Sequence, residues 1–321
     1  MTDRVDFDDS DDVVAVPLRH PGRWIAAVAI LLVLAALIHS LWTNTNIIHS
    51  SITEFLFDPR IIKGVGLTIF ITVISMVIAT ILAIVLAVMR MSANPVLRAV
   101  SFGYIWFFRG TPLLVQIVFW GYLGLLYSQI AAGIPFTNIQ FFAIDTNTLI
   151  PALVGGVIAL SLNEAAYAAE IVRAGLLSID HGQREAAYSL GMGPGYTLRR
   201  IVLPQAMKVI IPPMGNETIS MLKNTSLLAV VAVAELYTAA TQISAQNLRQ
   251  VELLIVASAW YLFMTTVLSI PQYYLERRFG RGTARELPLT PFQQLKAAIA
   301  RGRGRSNSRR EVAQLQKGSL S

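Results

Sequence analysis

The sequence predicts an all-α integral membrane protein with about six transmembrane helices, and three observations lead there. Of its 321 residues 54% are apolar and only 14% are charged, whereas a water-soluble domain carries about 25% charged residues. Mean hydropathy is accordingly +0.56. Uncharged apolar runs of bilayer length, about 20 residues, recur along the chain. Lysine and arginine are concentrated in alternate segments between those runs, as the inward-facing loops of a membrane protein require. Cysteine is absent, which excludes disulfides, thiolate metal sites and cysteine nucleophiles. The four histidines (His20, His39, His49 and His181) are scattered. No metal site and no cofactor is expected.

Span one runs from Trp24 to Trp42, with a tryptophan at each end as interfacial anchor. An acidic segment, residues 1–23, precedes it. The following HSLWTNTN holds no small-x-small cleavage pattern, so a retained extra anchor, residues 24–42, is expected in preference to a signal peptide. Span two, Val65 to Met89, is uncharged. Span three begins after Arg98, is interrupted by Arg109-Gly110-Thr111-Pro112 and continues through Tyr127. Span four covers about Leu149 to Ala169 and carries Asn163 and Glu164 in its later half. Span five, about Val209 to Leu236, is the least regular. Pro212-Pro213, Glu217 and Lys223 precede its apolar run Leu227–Ala234. Span six, Leu253 to Tyr274, is uncharged.

With the N-terminus inside, the inner segments 1–23, 90–98, 171–208 and 276–321 hold 21 of the 26 basic residues. The outer segments 43–64, 128–148 and 237–252 hold three. Both termini are therefore expected in the cytoplasm. The net charge of +7 is mostly a topology signal. The basic tail, residues 281–321 with its RGRGRSNSRR, reads as a solvated, partly disordered segment beside anionic membrane lipid, with no nucleic acid as partner.

The inner segment 171–208 is too long for a simple turn between helices. Asp180 is placed as an N-cap, with Gln183 completing a capping box. The helix runs through Leu190 to Gly191, which sits where a left-handed C-terminal cap belongs. Pro194 suits the first turn of a second helix. Pro204 restricts Leu203 and is expected to bend the chain into span five. The result is a helix-turn-helix between two spans, a lever that a soluble partner can push.

Glu185-Ala186-Ala187, then Gly191, then Ile201-x-Leu203-Pro204 resembles in full the EAA signature of bacterial ATP-binding-cassette importer permeases. The stretch Phe108-Arg109-Gly110-Thr111-Pro112-Leu113-Leu114-Val115-Gln116 narrows the likeness to the polar amino-acid group (histidine, glutamine, arginine, opine). Tyr167-x-Ala169-Glu170-Ile171-x-Arg173-Ala174-Gly175 and Lys223-Asn224-Thr225-Ser226-Leu227 are similar to it too. The likeness covers about residues 60–280, leaving the first anchor and the tail outside. It departs from the expected small residues at Asn163-Glu164-Ala165.

The resemblance implies a permease subunit in a bacterial plasma membrane, with the seven signature positions docked on an ABC ATPase subunit. It further implies an extracytoplasmic substrate-binding protein, a second permease subunit and a polar amino acid as substrate. No lysine follows a glycine, so the chain lacks a P-loop and the ATPase resides elsewhere. An ion-gradient-driven secondary transporter is the alternative, but it leaves the signature loop without a task. A membrane enzyme is disfavoured by the absence of a nucleophile elbow or cofactor fingerprint.

Ionisable groups inside a bilayer cost about 2.5–3.5 kcal/mol each on insertion scales, so each raises a functional question. Asn163, Tyr167 and Glu170 share one face of span four, next to Glu164; Glu217, Ser220 and Asn224 share one face of span five. Together with Arg109 they are candidates to line the substrate path. For Glu170, Lys223 and Arg109 an interfacial, snorkelling position is the equal alternative. The pairs Gly155-Gly156 and Gly121/Gly124 are expected to serve close helix packing.

Overall fold

The structure, a computed structural model, describes residues 21–133 and 140–279. The basic tail and all but the end of the acidic leader lie outside these residues. The chain divides into two compact units, Met1–Glu54 and Phe55–Ser321. The first holds α1 (Pro21–Trp42) and begins α2 (His49–Leu56). The apolar window Ile25–Trp42 of α1 has bilayer length and buries none of itself against protein.

In the second unit, α3 (Pro59–Met91) starts at Asp58, whose carboxylate accepts from the Arg60 amide at 2.8 Å, with proline at the first helical position. Arg60 also clamps that carboxylate with its guanidinium at 2.9 Å, which holds Asp58 below the usual carboxylate range. The pattern repeats at α4 (Pro95–Gly110), where the Asn94 side chain accepts from the Val96 amide. Next come α5 (Leu113–Gly121), α6 (Leu123–Leu126) and an antiparallel hairpin of β1 (Gln129–Gly133) and β2 (Gln140–Asp145). This hairpin falls in the segment 128–148 that is expected outside, and no strand was expected there. Then follow α7 (Thr146–Leu149), α8 (Ala152–Leu177), α9 (His181–Ser189) and α10 (Pro194–Thr197). A π-helical turn over Leu198–Val202 leads into α11 (Leu203–Asn224). A 3₁₀ segment, Thr225–Val231, α12 (Leu236–Asn247) and α13 (Gln250–Phe279) complete the described chain.

Among the described residues, α1, α3, α8 and α13 are long and apolar enough to cross a bilayer, and counting each of two bent pairs as one span raises the number to six. The first bent pair is the interruption expected in span three: α4 and α5 meet at 100° across Thr111-Pro112. Pro112 cannot donate to α4, and Gly110-Thr111 releases the chain from it. Span five likewise stops being α-helical at Asn224. The run Leu227–Ala234 forms the 3₁₀ segment and a left-handed turn at Ala232 with φ of 57°. Most of the segment 237–252, expected outside, is helix α12. Contrary to expectation, Pro204 does not bend the chain: Leu203 is helical, with φ −61° and ψ −45°, and the proline lies in the first turn of α11.

Helix α8 lies at the centre. Of its apolar window 61% is buried, against 39% for α3 and 22% for α13. Its buried surface is mostly alanine and glycine, including Ala159, Ala165, Ala168 and Ala169. Small residues allow close helix approach where lipid provides no hydrophobic drive. A Cβ on Gly155 would stand 2.5 Å from the Trp120 carbonyl oxygen, and one on Gly156 would stand 2.6 Å from Leu228. The glycine pairs are thus packing devices, as expected. Helix α3 turns Ile71, Ser75, Ala79 and Ala83 inward while Phe70, Val77, Ile81 and Val88 remain exposed. Small inside and large outside is the arrangement of a lipid-facing helix.

Candidate coupling loop and translocation site

The lever between α8 and α11 is built largely from local signals. Asp180 caps α9, accepting from the Gly182 amide at 2.6 Å. The cap bond reaches Gly182 rather than Gln183, so the expected capping box is replaced by a single N-cap bond. At the other end Gly191 adopts φ of 76°, a conformation that favours glycine. Its amide donates to the Tyr188 carbonyl at 2.9 Å, and the Met192 amide to the Ala187 carbonyl at 3.0 Å. Those two bonds constitute a full Schellman motif, which satisfies carbonyls the helix end would otherwise orphan.

Three contacts seat the lever on the spans. Arg184 donates to the Leu176 carbonyl at 3.0 Å, at the end of α8. Ala187 is buried, as are Val202, Ala206 and Ile210 beyond the corner. Gly175 lets α8 approach α11, since a Cβ there would collide with Ile210. Within the signature, Ala187 therefore faces inward, whereas Glu185, Ala186, Gly191, Leu203 and Pro204 are exposed and Ile201 is half-buried. Leu190 at 82% exposure and Tyr188 at 50% add a large apolar surface to the outer side of the corner.

The second constellation surrounds the break between α4 and α5. The end of α4 leaves carbonyls without intrahelical partners. Thr111 returns both its amide and its hydroxyl to the Phe107 carbonyl, at 3.1 and 2.9 Å. Gln116 folds back from α5 and donates to the Phe108 carbonyl at 3.0 Å and to the Thr111 hydroxyl at 2.7 Å. Asn163 of α8 donates to that same Phe108 carbonyl at 3.0 Å and to the Gln116 side-chain oxygen at 3.2 Å. Asn163, expected on the substrate path, is buried and engaged in holding the corner. Gln116 appears in the sequence motif, but its role there is invisible because its partners lie on another helix.

The remaining polar residues fall into three groups. The Arg109 guanidinium stacks 5.0 Å from the centre of the Tyr167 ring, a cation–π contact. Glu170 is paired with Arg173 at 2.7 Å. Glu164 is buried, and its Oε1 has no hydrogen-bond partner. Glu217 is half-buried on α11, which packs against α8. Asn224 ends α11, half-buried. The structure thus packs the helix of Glu164 against that of Glu217 and brings Arg109 together with Tyr167 and Asn163 with the corner; it does not unite all seven around one point.

One buried acid escaped the sequence reading. Glu235, fully buried, caps α12 by accepting from the amides of Tyr237 and Thr238 at 3.0 and 2.8 Å. It also accepts from the hydroxyls of Thr238, Tyr261 and Thr68, at 3.0, 2.7 and 3.3 Å. Helices α3, α12 and α13 are tied through one carboxylate. The local signal was present, a Glu ending an apolar run with Thr three residues on, but its distant partners were not legible.

A bundle of long and broken membrane-length helices with an exposed helix-turn-helix between two of them is the architecture of a multi-pass membrane protein. The chain belongs to the family of binding-protein-dependent transport system inner membrane components, which matches residues 75–281. It is 46% identical to the arginine transport system permease protein ArgU of Corynebacterium glutamicum, over 86% of this chain and 85% of that protein. It is 40% identical to the L-cystine transport system permease protein TcyB of Bacillus subtilis, over 71% of this chain and 90% of the other. It is 33% identical to the glutamine transport system permease protein GlnP of Escherichia coli K12, over 68% and 93%. A crystal structure of an amino acid ABC transporter with histidines has a chain that is 34% identical and superposes with a TM-score of 0.62, over 72% of this chain and 99% of that one.

The protein is therefore a multi-pass inner-membrane permease subunit of an ABC importer, not the ATPase. The family implies an ATPase subunit and a substrate-binding protein as partners. The secondary-transporter alternative falls with this membership.

Proposed function

We propose that this permease carries amino acids with a cationic side chain and admits them past the Glu164 and Glu217 carboxylates, between α8 and α11. The observation that carries the proposal is the bare, buried Oε1 of Glu164 on α8, the helix that packs against α11 with its Glu217. A carboxyl group without partners in a low-dielectric interior is costly to ionise, and an arriving ammonium or guanidinium offsets that cost. Among the described residues no ion pair reaches either carboxylate to compete with the substrate, unlike Glu170, which Arg173 already neutralises. The similarity to an arginine transport system permease and to an amino acid ABC transporter solved with histidines supports the same class. Tyr167 and Arg109 form the neighbouring wall, Asn224 lies further along α11, and Asn163 acts by holding the corner.

We further infer that both termini face the cytoplasm and that the lever 171–208 docks on the ATPase through Glu185, Ala186 and the Gly191 corner. A second permease subunit completes the path. ATP binding would then shift a two-state element from below while loaded binding protein shifts it from above.

The test is uptake into vesicles containing the complete importer. Glu164→Gln removes the charge but keeps the shape. Arginine uptake should fall about tenfold or more relative to glutamine uptake, a discrimination of about 1.4 kcal/mol. An unchanged arginine-to-glutamine ratio in that variant and in Glu217→Gln would refute the assignment.

A further inference from the structure

We infer that Pro204 is a positioning residue: it holds the π-helical turn Leu198–Val202, and that turn sets the rotational phase between the lever and α11. The inference rests on the docking assignment above. In an α-helix the residue at 204 would donate its amide to the carbonyl of Arg200, but proline has no amide proton and its ring crowds that carbonyl. Widening the preceding turn by one residue relieves the conflict. The Leu203 amide indeed donates to Leu198, five residues back. Extra residues of this kind are frequent at functional sites.

The burial pattern shows what the extra residue does. Thr197, Val202, Ala206 and Ile210 are all buried, at successive spacings of five, four and four. A regular helix advances about 100° per residue, so five steps would leave Thr197 and Val202 about 140° apart. Only the widened turn lets both face inward. With a regular turn in its place, α9 and α10 would swing about one residue, some 100°, around the axis of α11. Ala187 and Thr197 would leave their packing, and the exposed Glu185 and Leu190 would point elsewhere. Thus Pro204, although exposed and remote from the α9 surface, decides where that surface points.

The phase argument makes a compensation test possible. Pro204→Ala allows the turn to close to α geometry, leaving one residue too many. Deleting Arg199, an exposed residue within the turn, removes one residue. Either change alone should lower uptake by the complete importer, and uptake per ATP hydrolysed, about tenfold or more. Combined, they restore the spacing of four between Thr197 and Val202, and uptake should return to within about twofold of wild type. Should Pro204→Ala alone fail to insert, recovery of the double variant still decides the matter. Wild-type coupling in Pro204→Ala, or a double variant no better than the worse single one, overturns the inference. Glu185→Lys separates the two readings. Its loss of uptake without compensation in the double variant sinks the phase argument alone, whereas undiminished uptake sinks the docking assignment beneath it.

Discussion

The lever α9–α10 and the corner between α4 and α5 both interrupt helices, yet they are held in different ways. The lever's break is closed by its own neighbours. Asp180 caps the start, Gly191 the end, and each cap bond spans no more than five residues. Its outer face stays exposed, with Leu190 and Tyr188 presented to a partner. The corner is closed from afar: Asn163 reaches the Phe108 carbonyl across 55 residues of sequence. Its polar groups are buried, so each must find a partner within the protein. The exposed break is capped by its own residues, while the buried break depends on another helix. Damage to the first should uncouple without unfolding. Damage to the second should destabilise.

The comparison breaks most visibly at Glu185. Glu185→Lys should abolish ATP-driven uptake in reconstituted vesicles while membrane insertion remains normal, since the side chain is exposed on α9. Full uptake by this variant would remove the distinction between the two breaks.

Glu235→Ala tests the buried side. It strips one side-chain acceptor from five donors on three helices, and each buried donor left unsatisfied costs about 1–3 kcal/mol. Detergent-solubilised protein should unfold at a clearly lower temperature. A melting curve unchanged from wild type would mean that water replaces the carboxylate, contrary to the burial.

Asn163→Ala and Gln116→Ala sharpen the account of the corner. Both side chains donate to the Phe108 carbonyl and to each other's network. Their stability losses should fall short of additivity, or exceed it, by about 0.5–3 kcal/mol in a double-mutant cycle. Additive losses would separate them.

The smallest effects belong to the exposed caps. Gly191→Ala places a side chain at a left-handed position, at a cost of about 1–2 kcal/mol; it should weaken uptake more than it lowers the unfolding temperature. Asp58→Ala should cost about 1 kcal/mol through the lost N-cap. The Asp58 carboxylate is held below its ordinary range by Arg60, so its contribution is present above the unfolded-state range and vanishes as pH falls through the folded value. Thermal melts between neutral and strongly acid pH, compared with Asp58→Ala, would expose that difference.

Local and one-dimensional properties were determined by the sequence alone. Apolar length marks the membrane class, because a bilayer demands about 20 apolar residues for each helical crossing. Basic residues mark the expected inner segments. Asp180, Gly191 and Pro194 mark the lever, because caps and turn conformations act within a few residues. The EAA pattern marks the family for the same reason. Tertiary structure decided whatever depends on a partner far along the chain. Pro112 warned of an interruption, but only packing against α8 fixed the 100° corner, and only Asn163 and Gln116 explain how its carbonyls are satisfied. Pro204 read as a bend and proved to sit in a continuous helix, because a widened turn upstream absorbs what proline cannot donate. Glu164 and Glu217, 53 positions apart, lie on contacting helices only through the packing of α8 on α11. Glu235 escaped the sequence reading, because the hydrogen bonds from α3 and α13 that make it a tie between helices come from distant residues. A carboxylate's environment inside a membrane protein is set by which helices surround it, and no periodicity in one strand of sequence contains that information.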